Sequence, residues 1–213
     1  MPMSAPHEPP PGSKPAQILD AAKTLFMEQG YGATSMDAIA RTANVSKATL
    51  YAHFSGKEEL FAAMVGDECR RQSRRLHAPD VGETDLVEAL REIGRNFLEL
   101  VLSPQAVAIH RVVIAEVARF PELGRIFHRS GPAVVREQLA AYLRGAAERG
   151  LLALDDPYRA AEQFIGMVQV PLQMRVMLGL DETPAEADIA RVVDTAVAVL
   201  IKAYAPPAGG SPA

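Results

Sequence analysis

Three helix start signals lie within 22 residues in the first third of the sequence, and this crowding restricts the fold more than any other feature. Each signal is a hydroxyl residue followed three positions later by a polar residue: Thr34 with Asp37, Ser46 with Thr49, and Ser55 with Glu58. Such a hydroxyl can accept a hydrogen bond from a free backbone N–H of the first helical turn. The sequence therefore predicts two very short helices, followed by a third helix that runs to about His77.

The rest of the chain also shows the helical spacing of apolar residues. Between Ile18 and Phe26 they recur three and four positions apart, and Gly30 follows as a stop signal. Three further starts place a capping residue before a proline: Ser103–Pro104, Asp156–Pro157 and Thr183–Pro184. More helices are predicted near 84–102, 121–129 and 132–149. Because no segment shows convincing strand alternation, the predicted fold class is all-α, with nine or ten helices.

Composition and motif size divide the chain into four predicted regions. Residues 1–13 and 205–213 are rich in Pro, Gly and Ser, so both are expected to be disordered tails. Residues 14–57 form a predicted three-helix domain with a helix-turn-helix, and residues 58–204 form a predicted helical bundle. The first domain is too small to account for the remaining ~150 residues, so the bundle is expected to serve dimerisation and ligand binding.

The segment Thr34–Phe54 has the anatomy of a helix-turn-helix. Its turn lies at residues 43–45, where Asn44 is suited to the positive φ that redirects the chain. Leu50 on the second helix faces inward, and the opposite side carries one cation, one phenol and two small residues: Lys47, Ala48, Tyr51 and Ala52. Small residues permit close approach to base edges, while Lys and Tyr can bond guanine acceptors or phosphate. This surface is therefore predicted to enter the major groove of DNA.

The run from Tyr31 to Leu60, YGATSMDAIARTANVSKATLYAHFSGKEEL, is similar to the DNA-binding signature of the TetR family of bacterial regulators. The resemblance implies phosphate contacts by four residues: Thr34, Tyr51, His53 and Lys57. It places three others nearest the bases: Lys47, Ala48 and Thr49. The capping residue Ser46 completes the predicted DNA-binding set. Asn44 stands where the family frequently has glycine. A second resemblance, over residues 110–131, is to the AcrR- and AefR-type subgroup.

Other roles stay open for several of these residues. Tyr51 and His53 can instead pack their rings against the first helix, and Thr34 can be a helix cap alone. A basic run can either complement the end of its helix or contact DNA: Arg70, Arg71, Arg74 and Arg75. The distribution of charge agrees with a DNA-binding first domain. The whole chain has a net charge of −4, of which residues 14–57 contribute +2 and the remaining residues −6.

Two apolar helices late in the sequence are assigned to a homodimer interface, formed by residues 157–180 and 185–203. The segment Ile189–Ile201 is apolar on most of its circumference, as expected where one side packs inside and another meets a partner. The TetR resemblance implies that such a pair forms a four-helix bundle across a twofold axis. Pairing two short recognition helices would also supply the specificity that one of them lacks.

The first of these two helices also provides a candidate ligand site. Pro171 removes one backbone hydrogen bond and is expected to kink the helix. Side chains suited to an adaptable pocket surround it: Phe164, Met167, Gln169, Gln173, Met174 and Met177. Three polar residues that interrupt an earlier apolar run are candidates for the polar end of that pocket: His110, Arg111 and Glu116. Ordinary methionine packing and simple ion pairs remain the alternatives.

Composition also narrows the classes of function. A single cysteine, Cys69, allows no intrachain disulfide or cysteine-based metal cluster and indicates a reducing compartment, with redox sensing left open. The sequence lacks a secretory signal and a run of roughly 18 apolar residues, so a cytoplasmic protein that does not enter the membrane is expected. It contains no Ser-His-Asp ordering, HExxH or phosphate-binding glycine loop, so no catalytic, metal or cofactor site is predicted.

These features together predict a ligand-responsive regulator, a repressor that binds an inverted-repeat operator on double-stranded DNA as a homodimer. A small hydrophobic or amphipathic effector, which the sequence does not identify, is expected to release it. The helix that starts at Lys57 is the predicted transmitter, because it leads from a DNA contact toward the bundle. Two alternatives remain, an architectural DNA-binding protein without a ligand and an enzyme of the C-terminal helical domain.

Overall fold

The computed structural model of the protein describes residues 10, 12–73, 85–181 and 183–207, with the side chains of 68–73 excepted. Helices account for all the regular structure in these ranges, which confirms the all-α prediction. Ten helices occur there: α1 (Lys14–Gln29), α2 (Met36–Thr42), α3 (Lys47–His53), α4 (Lys57–Ser73), α5 (Leu86–Val101), α6 (Pro104–Glu116), α7 (Pro121–Ser130), α8 (Pro132–Glu148), α9 (Pro157–Met177) and α10 (Glu186–Ala203). Most of the two predicted tails, and the predicted end of α4 near residue 77, lie outside the described residues.

Three predicted caps are confirmed by their contacts with the first turn of a helix. Each accepts a hydrogen bond from a backbone N–H three positions later: Ser46 from Thr49 at 3.0 Å, Ser103 from Ala106 at 3.2 Å, and Asp156 from Arg159 at 3.0 Å. Helices α6 and α9 begin with proline, whose missing N–H would have had no partner within the helix.

Three other predicted start signals need correction. Ser35 caps α2 in place of Thr34, since its hydroxyl accepts from the N–H of Ala38 at 3.1 Å. At the start of α4, Glu59 rather than Glu58 reaches back, and Ser55 donates to its carboxylate from both N–H and hydroxyl at 2.7 Å. These two bonds hold the pKa of Glu59 below its usual value.

The start of α10 lies two residues beyond the predicted Thr183–Pro184 signal. The helix begins at Glu186 with Ala185 in the capping position, and no side chain caps it. Two acidic residues in the first turn, Glu186 and Asp188, place negative charge where the helix dipole is positive. Charge, rather than a hydroxyl cap, therefore marks this end.

The chain forms two compact units. The first contains the described residues through Arg71 together with Ala108–Pro132, and the second contains the described residues of Gln72–Val107 and of Ala133–Ala213. The unit that holds the helix-turn-helix is thus larger than the predicted domain of residues 14–57. It includes α4 and α7 because their apolar side chains share one core with α1, α2 and α3.

The core of the first unit is built around aromatic rings. Phe26, Tyr31 and Phe61 have ring centroids 5.4 to 5.9 Å apart, and Phe120 packs edge-on to Tyr31 at 5.3 Å. Such tilted and edge-on pairs suit the quadrupole of aromatic rings. The cluster fixes the loop between α1 and α2, on which the helix-turn-helix depends.

The second unit is a helical bundle in which α5, α9 and α10 pack against one another and α8 completes the core. Gly94 on α5 permits a close approach to α10, because a Cβ atom there would lie 3.0 Å from Val193 Cγ1. Within the described residues, no single helix meets the length and hydropathy of a membrane span, although the bent pair α5 and α6 would meet them jointly.

The turn between α2 and α3 adopts the predicted left-handed conformation at Asn44, where φ is 50°. Asn44 and Val45 N–H groups donate to Arg41 and Ala40 carbonyls at 3.1 and 3.0 Å, which closes the turn. We expect Asn44→Val to lower the free energy of unfolding by about 1 to 2 kcal/mol, because a β-branched residue is strained at positive φ. Asn44→Gly is the control, expected to lie within about 0.5 kcal/mol of the unmodified protein. Chemical denaturation measures both, and equal stabilities would contradict this account.

Candidate nucleic-acid interface and ligand cavity

Helix α3 presents an acid-free surface to solvent. Leu50 is fully buried and Phe54, just beyond the helix, is buried with it, so these two side chains anchor α3 to the core. On the other side Ala48 and His53 are exposed, and 52% of Tyr51 is exposed. The predicted division of α3 into an inner and an outer face is confirmed.

Lys47 lies on the exposed side but already has a partner. Its ammonium donates to Asp37 Oδ2 at 2.6 Å, and both side chains are exposed. Exposed ion pairs of this kind are worth about 0–1 kcal/mol. A phosphate or guanine acceptor can therefore replace Asp37 at little cost.

The two hydroxyl residues at the start of α3 are occupied mainly with the helix itself. Ser46 caps α3, and its hydroxyl oxygen lies 2.8 Å from that of Thr49. Ser46 is exposed and Thr49 is half-buried. The hydroxyls of Ser46 and Thr49 thus stabilise the first turn of α3.

Thr34 does not belong to the exposed surface, contrary to the prediction. Only 1% of it is exposed, and its hydroxyl oxygen lies 2.8 Å from the carbonyl oxygen of Gly30 and 3.2 Å from that of Leu25, which share its single proton. A side chain satisfied in this way cannot also reach a phosphate. Thr34 instead ties the end of α1 to the start of α2.

Lys57 also faces inward, although the resemblance implied a phosphate contact. Its ammonium donates to the carbonyl oxygens of Tyr31 at 2.8 Å and Gly32 at 3.3 Å. It lies 4.7 Å from the centroid of the Tyr31 ring, within the range of a cation–π contact. Burial lowers the pKa of Lys57, and the nearby Glu116 carboxylate acts in the opposite direction.

The three polar ligand candidates of α6 lie in the first unit. His110 packs edge-on against Phe127 at 4.8 Å, and burial lowers its pKa. Arg111 is exposed, and Glu116 accepts a hydrogen bond from the Gly32 N–H at 2.9 Å. None of the three lines the cavity described below, so the structure does not bring them together with it.

The candidates on α9 are spread around the helix rather than gathered at one site. Gln169 donates to Gln173 at 2.6 Å one turn later, while 56% of Met174 is exposed. Met167 packs against the core of the second unit, and Met177 is half-buried. The helix runs without a break through the exposed Pro171. Phe164 is the one predicted ligand residue that lines the cavity.

A partly open cavity of about 50 Å³ lies between α5, α8 and α9 of the second unit. Its walls are apolar and aromatic, with Phe97, Tyr142 and Phe164 among them, and no lining residue is charged. Tyr142 and Gln138 supply the polar atoms of the lining, and burial raises the pKa of Tyr142. The lining is therefore compatible with an uncharged and largely apolar group.

Most of this lining was missed by sequence reasoning. The stretches 84–102 and 132–149 were predicted as helices, but their apolar residues look like ordinary core. The available signal was Tyr142, a phenol on the same helical stripe as Val135 and Leu139. A polar tip on an otherwise apolar stripe needs a partner, and a ligand is one such partner.

Apolar side chains are exposed on α9, directly after it and on α10: Val170 and Met174, Leu178, and Val199. Val199 lines a shallow groove on α10 with Thr195 and Ala198. Asp194, at one end of that groove, pairs with Arg91 on α5 at 2.8 Å. The two helices assigned to a homodimer therefore carry the unpaired apolar surface that such an interface needs.

Two predictions fall on side chains that are not described. Cys69, Arg70 and Arg71 belong to α4 but have no described side chains, and Arg74 and Arg75 lie outside the described residues. Their redox, helix-end and DNA-contact interpretations stay predictions. In the part of the chain that is described, no cluster of three or more His, Cys, Asp or Glu residues could hold a metal ion.

Two family models match the chain, and the first of them extends into α4. Residues 18–64 match the N-terminal domain described as bacterial regulatory proteins, tetR family. Residues 88–206 match the C-terminal domain of AefR-like transcriptional repressors. Together the two matches cover the helix-turn-helix and the helical bundle.

Individual relatives agree with these family matches. The HTH-type transcriptional regulator YvkB of Bacillus subtilis is 28% identical over 160 residues, covering 71% of this chain and 77% of the relative. UidR of Escherichia coli, also an HTH-type transcriptional regulator, is 27% identical over 139 residues, covering 65% and 69%. Among solved structures, the flavonoid-responsive regulator FrrA is 40% identical with a TM-score of 0.81, covering 92% of this chain and 98% of its own.

Proposed function

Because this chain belongs to the TetR family of bacterial transcriptional regulators, we propose that it is a ligand-responsive repressor that binds an inverted-repeat operator as a homodimer. The observation that carries the proposal is the outer face of α3. That face is exposed, free of acidic residues and held in place by the buried Leu50. These are the properties that a recognition helix in the major groove requires.

The proposed DNA-contacting set is smaller than the set first predicted. Lys47 and Ala48 face the bases, and Tyr51 and His53 reach phosphate oxygens. Ser46 and Thr49 contribute from the first turn of α3. Thr34 is withdrawn because its hydroxyl is buried, and Lys57 is withdrawn because backbone carbonyls occupy its ammonium.

The proposed dimer uses the exposed apolar side chains of α9 and α10. Their union would bury surface that is otherwise in contact with water, which is the main driving force of association. Twofold pairing would set two copies of α3 on one face of the operator, at a half-site separation of ~34 Å. The protein would act in the cytoplasm, where that DNA is found.

The proposed effector is a flat, uncharged and largely apolar molecule that enters the cavity of the second unit. Phe97 and Phe164 offer aromatic faces, and Tyr142 offers one hydrogen-bonding group. FrrA, the relative at 40% identity, is described as flavonoid-responsive, and flavonoids have this chemistry. We propose them as the first class to test. We also propose that α4, whose last two residues belong to the second unit and whose other residues belong to the first, carries the response to the recognition helix.

Two measurements on the full-length protein test this function. Footprinting on the DNA that flanks its own gene should protect an inverted repeat, and a panel of flavonoids should weaken that protection. Equal affinity for random and flanking DNA at physiological salt would favour an architectural DNA-binding protein instead. Protection that no member of the panel alters would overturn the effector class while leaving the operator intact.

A further inference from the structure

The last turn of α6 contacts the loop between α1 and α2 directly. Glu116 Oε1 accepts the Gly32 N–H at 2.9 Å. A Cβ atom added at Gly30 would lie 2.8 Å from the same oxygen, and one at Gly32 would lie 3.1 Å from the Phe120 ring. The two glycines thus let the carboxylate of α6 approach the loop backbone.

Lys57 holds the same loop through its carbonyl oxygens. Its ammonium donates to Tyr31 O at 2.8 Å, while Glu116 accepts from Gly32 N–H. These two atoms belong to one peptide group, the one that joins Tyr31 to Gly32. The Lys57 cation lies at the negative, oxygen end of this peptide dipole, and the Glu116 anion lies at its positive, N–H end. Each hydrogen bond is therefore charge-assisted.

The held peptide lies just before the helix-turn-helix. Thr34, two residues on, is fixed by two carbonyl oxygens, and Ser35 then starts α2. A shift of the peptide would therefore move the start of α2 and, through the turn at Asn44, the position of α3. Recognition of base edges tolerates little displacement of the helix that makes it.

We propose that Glu116 is a positioning residue for operator binding, and that Lys57 is its partner in an internal clasp on the Tyr31–Gly32 peptide rather than a phosphate contact. The inference rests on the proposed DNA-binding function. It makes the end of α6, and not α4 alone, a determinant of operator affinity.

The proposal and plain electrostatics predict opposite signs for one substitution. Removing an acidic residue from a DNA-binding unit strengthens DNA binding when only charge matters. Glu116→Ala is instead expected to weaken operator binding about tenfold, because the peptide is released. Glu116→Gln keeps an acceptor for the Gly32 N–H and should recover part of the loss. Glu28→Ala, at an exposed acid of α1, is the matched control and should bind as the unmodified protein or slightly more tightly.

Salt dependence separates the two roles of Lys57. A lysine that neutralises a phosphate contributes about 0.9 to the slope of log K against log salt concentration. Lys57→Met is expected to weaken binding without changing that slope, and a slope lower by about 0.9 for each subunit would overturn the internal role. Operator binding by Glu116→Ala at or above the unmodified level would overturn the positioning role.

A third measurement works without DNA. Lys57→Met and Glu116→Ala should each lower the melting temperature. If both residues act on one peptide, the double variant should melt at a higher temperature than the sum of the two single losses predicts. Additive losses would overturn the clasp. If the unmodified protein binds no specific operator, the proposed function is overturned instead. The melting temperatures of the single and double variants would still decide whether the clasp exists.

Discussion

Replacing Tyr51 by alanine is expected to weaken specific operator binding by about 100-fold while leaving the fold intact. A hydrogen bond to a charged phosphate is worth about 1.5 kcal/mol or more, and a homodimer loses two of them, one in each subunit. The side chain is 52% exposed, so its removal leaves no cavity in the core. Titration of a labelled operator, with the melting temperature of the variant measured in parallel, checks the prediction.

The matched control for Tyr51→Ala is Leu151→Ala. Leu151 is also a large exposed side chain, but it lies outside α3 and outside the helices assigned to the dimer. This variant should bind the operator as the unmodified protein does. Wild-type affinity in Tyr51→Ala would remove α3 from the DNA-binding surface.

Replacing Val199 by glutamate is expected to convert the protein to a monomer at micromolar concentration and to abolish specific operator binding with it. Val199 is exposed in the groove of α10, which Asp194 and Lys202 also line, and the proposed interface would receive one new carboxylate from each subunit. Burying an unpaired charge is strongly unfavourable, and like charges repel in addition. Light scattering coupled to size exclusion gives the mass directly.

Val134→Glu is the control for Val199→Glu. It makes the same exchange at an exposed valine of α8, which is outside the assigned interface, so it should stay dimeric and bind the operator. If Val199→Glu stays dimeric and still binds the operator, the assignment of α10 to the interface is wrong.

Local chemistry was enough to predict most of the fold. Asn44 indicated a left-handed turn because few residues tolerate positive φ, and Ser103 and Asp156 marked helix starts because a proline followed each. The failures occurred where two residues offered the same chemistry. Thr34 and Ser35 are adjacent hydroxyls, and only packing decides that one turns inward while the other caps α2.

The candidate DNA-binding surface was only partly predictable for a related reason. Periodicity assigned Leu50 to the inside and Tyr51 to the outside of α3, as the structure has them. Periodicity carries no information about the partner of a long side chain. The ammonium of Lys57 lies against carbonyls of residues 25 and 26 positions earlier in the chain. Residues that lie so far apart in the sequence form no local pattern from which the contact could be predicted.

The cavity proposed as the ligand site was the least predictable part. The sequence drew attention to Met174 and Gln173 on α9 because they lie close to Pro171, where a kink was expected to open an adaptable pocket. The cavity instead forms where α5, α8 and α9 fail to fill the space between them. Incomplete packing depends on three helices at once, and ordinary residues such as Ile93 and Leu139 line it.

The small size of that cavity sets the sensitivity of the proposed switch. Pockets that hold drug-sized molecules measure roughly 300–1,000 Å³, whereas the space between α5, α8 and α9 is about 50 Å³. A ligand of that size must then bind or induce a less populated conformation in which the three helices lie farther apart. If that arrangement is present roughly 1% of the time, the half-response dose rises about 100-fold above the intrinsic dissociation constant. Substitutions that merely loosen the walls would therefore make a cell respond to lower doses of the same compound.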